Sequence, residues 1–157
     1  MKRIEPHKID ELNYIYNMCE KAYKNKYDLD EDQGLKAYER EIWMIGSELL
    51  DFLKKTKKNK YSDFLLKDIL KVIQNAKYGR GRESFTMLLH YFKKNPSIEI
   101  YLVSLLDDEQ LYAFAIGELT KLKLFGHTDK VQEILSKEKV AWKKKEAKRY
   151  IEKSKNR

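Results

Sequence analysis

The 157 residues carry 33 Lys and Arg against 25 Asp and Glu, a formal net charge of +8, and are 42% hydrophobic and 37% charged. That length is one domain's worth of chain with one continuous core, and no stretch approaches the roughly 18 uninterrupted apolar residues of a membrane span, so no membrane partner is expected. Six Gly, two Pro and a single Cys predict an all-α chain with solvated charged faces and no intramolecular disulfide. A soluble, cytoplasmic protein is the expectation.

In chain order, Ile9, Leu12, Ile15, Tyr16, Cys19, Ala22 and Tyr23 recur at helical spacing, which predicts an amphipathic helix from Ile9 to about Tyr23. Cys19 falls on its apolar face as a packing residue, since no His or second Cys stands near it. Residues 25 to 32 read as a connection in which Asp30 or Asp32 caps the next helix. The cluster Asp28, Asp30, Glu31 and Asp32 alternates like the start of a calcium loop, but an EF-hand needs Gly where Gln33 stands, and the cluster reads as a helix cap.

The second helix is the longest, from about Glu31 to Lys55, with Leu35, Tyr38, Ile42, Ile45, Leu49 and Phe52 at steps of three and four. Trp43, Leu50 and Leu53 widen its stripe toward a second neighbour. The run from Lys54 to Lys60 is a basic loop, and Ser62 or Asp63 caps a third helix with Phe64, Leu65, Ile69, Val72, Ile73 and Ala76 inward. That helix stops at Tyr78-Gly79-Arg80-Gly81-Arg82, where two glycines permit a tight turn. A fourth helix is predicted from about Arg82 to Lys93, before Asn95-Pro96-Ser97 breaks the chain.

From Ser97 to Ile151 the pattern reads as two helical hairpins. One runs from Ile98 through Leu106-Asp107-Asp108 to Leu119, although Ile100, Tyr101 and Val103 give its start a strand-like flavour. Asp107 and Asp108 cap its second helix, and Gly117 admits another backbone. The other hairpin runs from Val131 through Ser136 to Ile151, with Ser154 to Arg157 fraying. Leu105-Leu106 is answered by Ile134-Leu135 and Leu119 by Ile151, a unit of about 30 residues, which is the scale of a two-helix solenoid repeat.

Leu105-Leu106-Asp107-Asp108-Glu109 followed by Ala115-Ile116-Gly117-Glu118-Leu119 resembles the short, bacterial form of the HEAT repeat. Val140-Ala141-Trp142-Lys143-Lys144-Lys145-Glu146-Ala147 resembles the second helix of the same unit. The resemblance covers about residues 97 to 152, is weaker over 61 to 93, and does not reach 1 to 57, which form a longer N-terminal helix pair. It implies one helical-repeat domain over 1 to 157, a right-handed α-solenoid of about eight helices in antiparallel pairs. It implies little about activity, because helical repeats of this type mostly serve as binding scaffolds.

Two features carry chemistry. In the Tyr78 to Arg82 turn, glycine-freed N–H groups, a helix N-terminus, Arg80 and Arg82 would together hold a phosphate or a carboxylate of an acidic protein partner; the plain alternative is a turn whose arginines pair with acids such as Glu83. Lys143, Lys144, Lys148 and Arg149, with Trp142 and Tyr150, could track phosphates and stack on bases of DNA or RNA. Here the plain alternative is the polar face of a terminal repeat. The charge favours such a role, for residues 121 to 157 hold 13 Lys and Arg against 5 acids, the whole excess of the chain.

His7, His90 and His127 are too far apart for metal ligation, Ser47, Ser84 and Ser104 show no nucleophile-elbow pattern, and neither a cofactor nor a catalytic group is expected. The reading that results is a noncatalytic scaffold of the adaptor or immunity type, in a bacterial cytoplasm, whose concave face takes an acidic protein. Its rival is a nucleic-acid-binding protein, the HEAT-like fold including a class of DNA glycosylases that hold damaged duplex on a basic concave face.

Overall fold

The computed structural model describes residues 2–25, 31–32, 35–56 and 63–156. The fold is all-α apart from one pair of two-residue strands. Backbone contacts divide it into two compact units, Met1–Leu88 and Leu89–Arg157, each with its own core. No helix is long and apolar enough to cross a membrane among the described residues.

In the first unit, helix α1 spans Tyr14–Lys24, later than the apolar spacing predicts. A 3-10 turn occupies Pro6–Lys8, and Asn13 has φ 62°, a left-handed conformation that a helix growing from Ile9 could not continue through. Leu12 is consequently left 68% exposed. Strands β1 (Glu31–Asp32) and β2 (Leu35–Lys36) pair antiparallel, Glu31 opposite Lys36 and Asp32 opposite Leu35, where the start of the long helix was expected. Helix α2 then runs over Ala37–Lys55, burying Ile42, Ile45, Leu49 and Leu53. Asp28 and Asp30, the basic loop from residue 57 to 60 and Ser62 lie outside the described residues. Helix α3 covers Asp63–Ile73 with Leu65, Ile69, Val72 and Ile73 inward, as predicted, whereas Phe64 in its first turn is 53% exposed and Ala76, beyond its end, faces solvent.

The predicted fourth helix is not continuous. A 3-10 segment takes Ala76–Arg82, helix α4 only Glu83–Thr86, and a second 3-10 turn Leu89–Phe92. The reason lies in how closely Ala76–Arg82 and α4 lie on α2. A Cβ on Gly81 would stand 2.8 Å from Ile42 Cβ and 2.9 Å from the Glu39 carbonyl, and one on Gly46 would stand 2.1 Å from Ser84 Oγ. Gly79 turns the chain at φ 55°, ψ −134°, with the Glu39 carboxylate where its side chain would be. Glycine is required here because side chains of the opposing segment, Glu39 and Ile42 on one side and Ser84 and Phe85 on the other, fill the space a Cβ would take.

Carboxylates from packed helices anchor the remaining ends. Asp68, buried on α3, accepts from the Ile15 N–H at 2.7 Å and the Tyr16 N–H at 3.1 Å, supplying to the start of α1 the cap that Asn13 does not. Burial pushes the Asp68 carboxyl up from its ordinary range, against the pull of those two N–H groups. Glu48 on α2 likewise accepts from the N–H groups of Arg3 (2.7 Å) and Ile4 (2.8 Å), and Glu41 takes the Arg3 guanidinium at 2.9 Å.

In the second unit, α5 covers Ile98–Ser104 and runs into a 3-10 turn over Leu105–Asp107, so the strand-like residues are helical. Helices α6 (Tyr112–Lys121), α7 (Thr128–Lys137) and α8 (Ala141–Ser154) follow. α5 packs on α6, and both α6 and α7 pack on α8, around Leu102, Leu111, Ile116, Leu119, Val131 and Tyr150. Asp108 caps the start of α6 as predicted, accepting from the Gln110 and Leu111 N–H groups at 2.9 and 3.1 Å. Ser97 caps nothing with its side chain; its N–H donates to Asn95 Oδ1 at 2.9 Å. A Cβ on Gly117 would meet only the Glu146 carboxylate, at 3.4 Å, so no backbone approaches there.

Ser154 does not fray: it is the last residue of α8 and is buried. The Tyr150 hydroxyl donates to the Leu124 carbonyl at 2.6 Å and accepts from the His127 N–H at 3.1 Å, tying α8 to the turn before α7. Replacing Gly81 by Ala forces Ile42 and the α2 backbone apart. Gly81→Ala is expected to lower stability by about 1–3 kcal/mol, read as a shifted urea midpoint at unchanged slope, whereas Gly126→Ala, with open space around it, should not move it.

Candidate functional site

The turn from Tyr78 to Arg82 does not present the anion site its sequence suggests. Arg82 is 3% exposed. Its Nε donates to the Gly79 carbonyl at 2.9 Å and its Nη1 to the Ile73 carbonyl at 3.0 Å, so the guanidinium satisfies two main-chain acceptors in the bend after α3. Arg80 is more exposed and pairs with Glu83, Nε to Oε1 at 2.8 Å, which is the plain alternative the sequence left open. Gly79 and Gly81 lie against Glu39 and Ile42 of α2.

Tyr78 is buried and donates its hydroxyl to Glu20 on α1. Around it stand Tyr16 and Tyr23, ring centres 6.1 and 5.9 Å away, and Tyr38, edge-on to Tyr23 at 5.2 Å. Lys77 lies over the rings of Tyr23 and Tyr78 at 4.8 and 5.4 Å and ion-pairs with Glu20 at 2.9 Å. The Tyr78 hydroxyl, with Lys77 behind it, holds the Glu20 carboxyl below its ordinary range; burial and that same carboxylate push the Tyr78 phenol up. The cluster is an internal joint between α1, α2 and the bend after α3.

The second candidate set stays at the surface. α8 carries Lys143, Lys144, Lys145, Lys148, Arg149 and Lys153 against Glu146 and Glu152. Its buried residues Ala147, Tyr150 and Ser154 mark the inward face, and the helical period puts Ala141, Lys145, Lys148, Arg149 and Glu152 on the opposite side. These residues and Lys144 line one shallow depression along the helix. Arg149 reaches Glu146 at only 3.8 Å, and Lys144, Lys145 and Lys148 have no ion-pair partner among the described residues.

Lys143 is set apart from this face, its Nζ 4.8 Å from the centre of the Tyr112 ring and 5.8 Å from that of Trp142. Trp142 is 46% exposed and rests on Phe114 of α6, ring centres 5.3 Å apart and planes at 57°. Tyr150, the other aromatic of the stripe, belongs to the core.

The three histidines stay apart. His90 Nδ1 lies 2.7 Å from the buried Glu118 carboxylate, which also accepts the His90 N–H at 2.8 Å, and His127 Nε2 lies 2.8 Å from Glu99. No group of three or more His, Cys, Asp or Glu is placed to hold a metal ion among the described residues. Cys19 is buried on α1, and burial pushes its thiol up, away from the reactive thiolate.

A groove between α1 and α2, lined by Met18, Lys21, Ala22, Tyr38, Arg40 and Ile45 among others, is a feature no motif announces, because its walls come from two helices. Asp68 and Glu118 did leave a trace, each being an acid set within an apolar helical stripe. No protein-family model, no curated protein and no solved structure matches the chain.

Arg82→Ala leaves two buried carbonyls short of a donor and should cost about 2–3 kcal/mol in thermal unfolding; an unchanged midpoint would refute its structural role. Glu20 titrates below its ordinary range in the folded state, so its contribution is present above the unfolded pKa and is lost as pH falls through the folded one. Tyr78→Phe removes the largest cause of that shift. The stability gap between wild type and Tyr78→Phe should be wide at neutral pH and narrow on acidification through the carboxylate range, as followed by denaturation at several pH values.

Proposed function

We propose that the chain is a noncatalytic binding protein that receives an acidic protein partner on the outward face of α8. In this reading it is a cytoplasmic scaffold of the HEAT-like kind, a right-handed α-solenoid of antiparallel helix pairs, adaptor-like or immunity-like in role. The observation that carries the proposal is the set Lys144, Lys145, Lys148 and Arg149 on one helix, three of them without an ion-pair partner among the described residues. Cations packed this closely repel one another, and an anionic partner relieves that repulsion while gaining a faster encounter. Arg80 and Arg82, being engaged within their own unit, leave this role to α8.

Nucleic acid is the second reading, favoured by the exposure of Trp142 beside the cations, since an open indole face stacks on a base while lysines neutralise phosphates. Titrating a labelled polyglutamate peptide and a labelled DNA duplex at about 50 and 200 mM salt separates the two, because phosphate contacts give a steep loss of affinity over that range. The peptide should bind, and Lys145→Glu with Lys148→Glu should weaken it about tenfold or more. Unchanged peptide affinity in that double variant would exclude α8 as the seat, and tighter binding of the duplex than of the peptide would favour the second reading.

A further inference from the structure

Resting on the α8 reading, we infer that the partner is an acidic protein segment that also carries an apolar side chain, which seats on the Trp142 and Phe114 edge beside the lysine face. Trp142 is not needed to close the core. It stands 46% exposed at the first turn of α8 with Val140, 44% exposed, just before it, and Phe114 of α6 lies against its ring. A half-exposed tryptophan is the residue type enriched at binding hot spots, and Trp142 precedes Lys145 by about one helical turn and Arg149 by about two.

The same edge is poorly suited to a nucleic acid. The Tyr112 ring is covered by Lys143 and its hydroxyl is bonded to Glu138, so Trp142 offers a single stacking surface. The carboxylate of Glu138 caps the start of α8 at the Lys139 and Val140 N–H groups, 3.0 and 3.2 Å away. Glu146, one turn after Trp142, faces Gly117. A base stacked on Trp142 would bring its own phosphates toward these two acids, because in nucleic acid every base is tied to a charge. A protein segment separates the two chemistries, setting an apolar residue on Trp142 and its carboxylates about one to two turns away on Lys145, Lys148 and Arg149.

Trp43→Phe leaves Trp142 as the sole reporter indole, Trp43 and Trp142 being the two tryptophans of the chain. In that background the probes are an acidic peptide interspersed with Leu and Phe, the same peptide with Ser in place of Leu and Phe, and single-stranded oligothymidylate of equal charge. The apolar acidic peptide is expected to bind about tenfold tighter than its Ser version, as an interface anchor requires, and to blue-shift the Trp142 emission. Trp142→Ala should abolish the difference between the peptides, and Trp142→Phe should restore most of it, which separates lost contact from lost fold. Equal affinity of the two peptides, indifference to Trp142→Ala, or preference for oligothymidylate overturns this inference while leaving α8 an anion-binding face. Failure of every anionic probe to bind overturns the α8 reading and this one with it.

Discussion

The first unit depends on glycines that make room for single side chains of the segment packed against them. α2 and the segment from Ala76 through α4 approach so closely that Gly46, Gly79 and Gly81 each stand where a Cβ would collide with the opposing chain. Interiors are packed to crystal-like density, so a contact of this kind admits no intermediate spacing. From it follow the 3-10 path of Ala76–Arg82, the shortness of α4 and the inward turn of Arg82, whose donors meet the carbonyls that the broken helix leaves behind. Tyr78, carried inward by the same bend, reaches Glu20 and ties α1 to it.

A second constraint recurs in both units. Helix and segment starts whose own sequence lacks a working cap take one from a distant carboxylate: Asp68 at Ile15 and Tyr16, Glu48 at Arg3 and Ile4, Glu118 at His90. Each acid sits on a helix that packs against the segment it holds, so packing and hydrogen bonding reinforce one another, and losing either exposes a buried polar group.

The cations sort by what surrounds them. Arg82 is structural, Arg80 pairs with the buried Glu83, and Lys143 lies over aromatic rings; Lys144, Lys145 and Lys148 line one depression of α8 and have no ion-pair partner among the described residues. Trp142 beside them supplies an apolar contact that charge by itself does not. A binding face of this composition recognises a partner by two chemistries at once, which narrows its choice more than either would.

Periodicity in the sequence was sufficient for the all-α class, for α3, α5, α6, α7 and α8 nearly as they stand, and for the Asp108 cap, because each of these is decided within a turn or two of helix. The crowding of charge toward the C-terminus was likewise legible. What the pattern could not settle was the meaning of Gly-Arg-Gly-Arg. Glycine permits a phosphate to approach a backbone and equally permits another helix to do so, and Arg serves a buried carbonyl as readily as an anion. Only tertiary structure, by bringing Glu39, Ile42 and Gly46 of α2 against that segment, decided between them. The late start of α1 was decided in the same way, since its capping carboxylate, Asp68, lies 53 residues away from Ile15 along the chain.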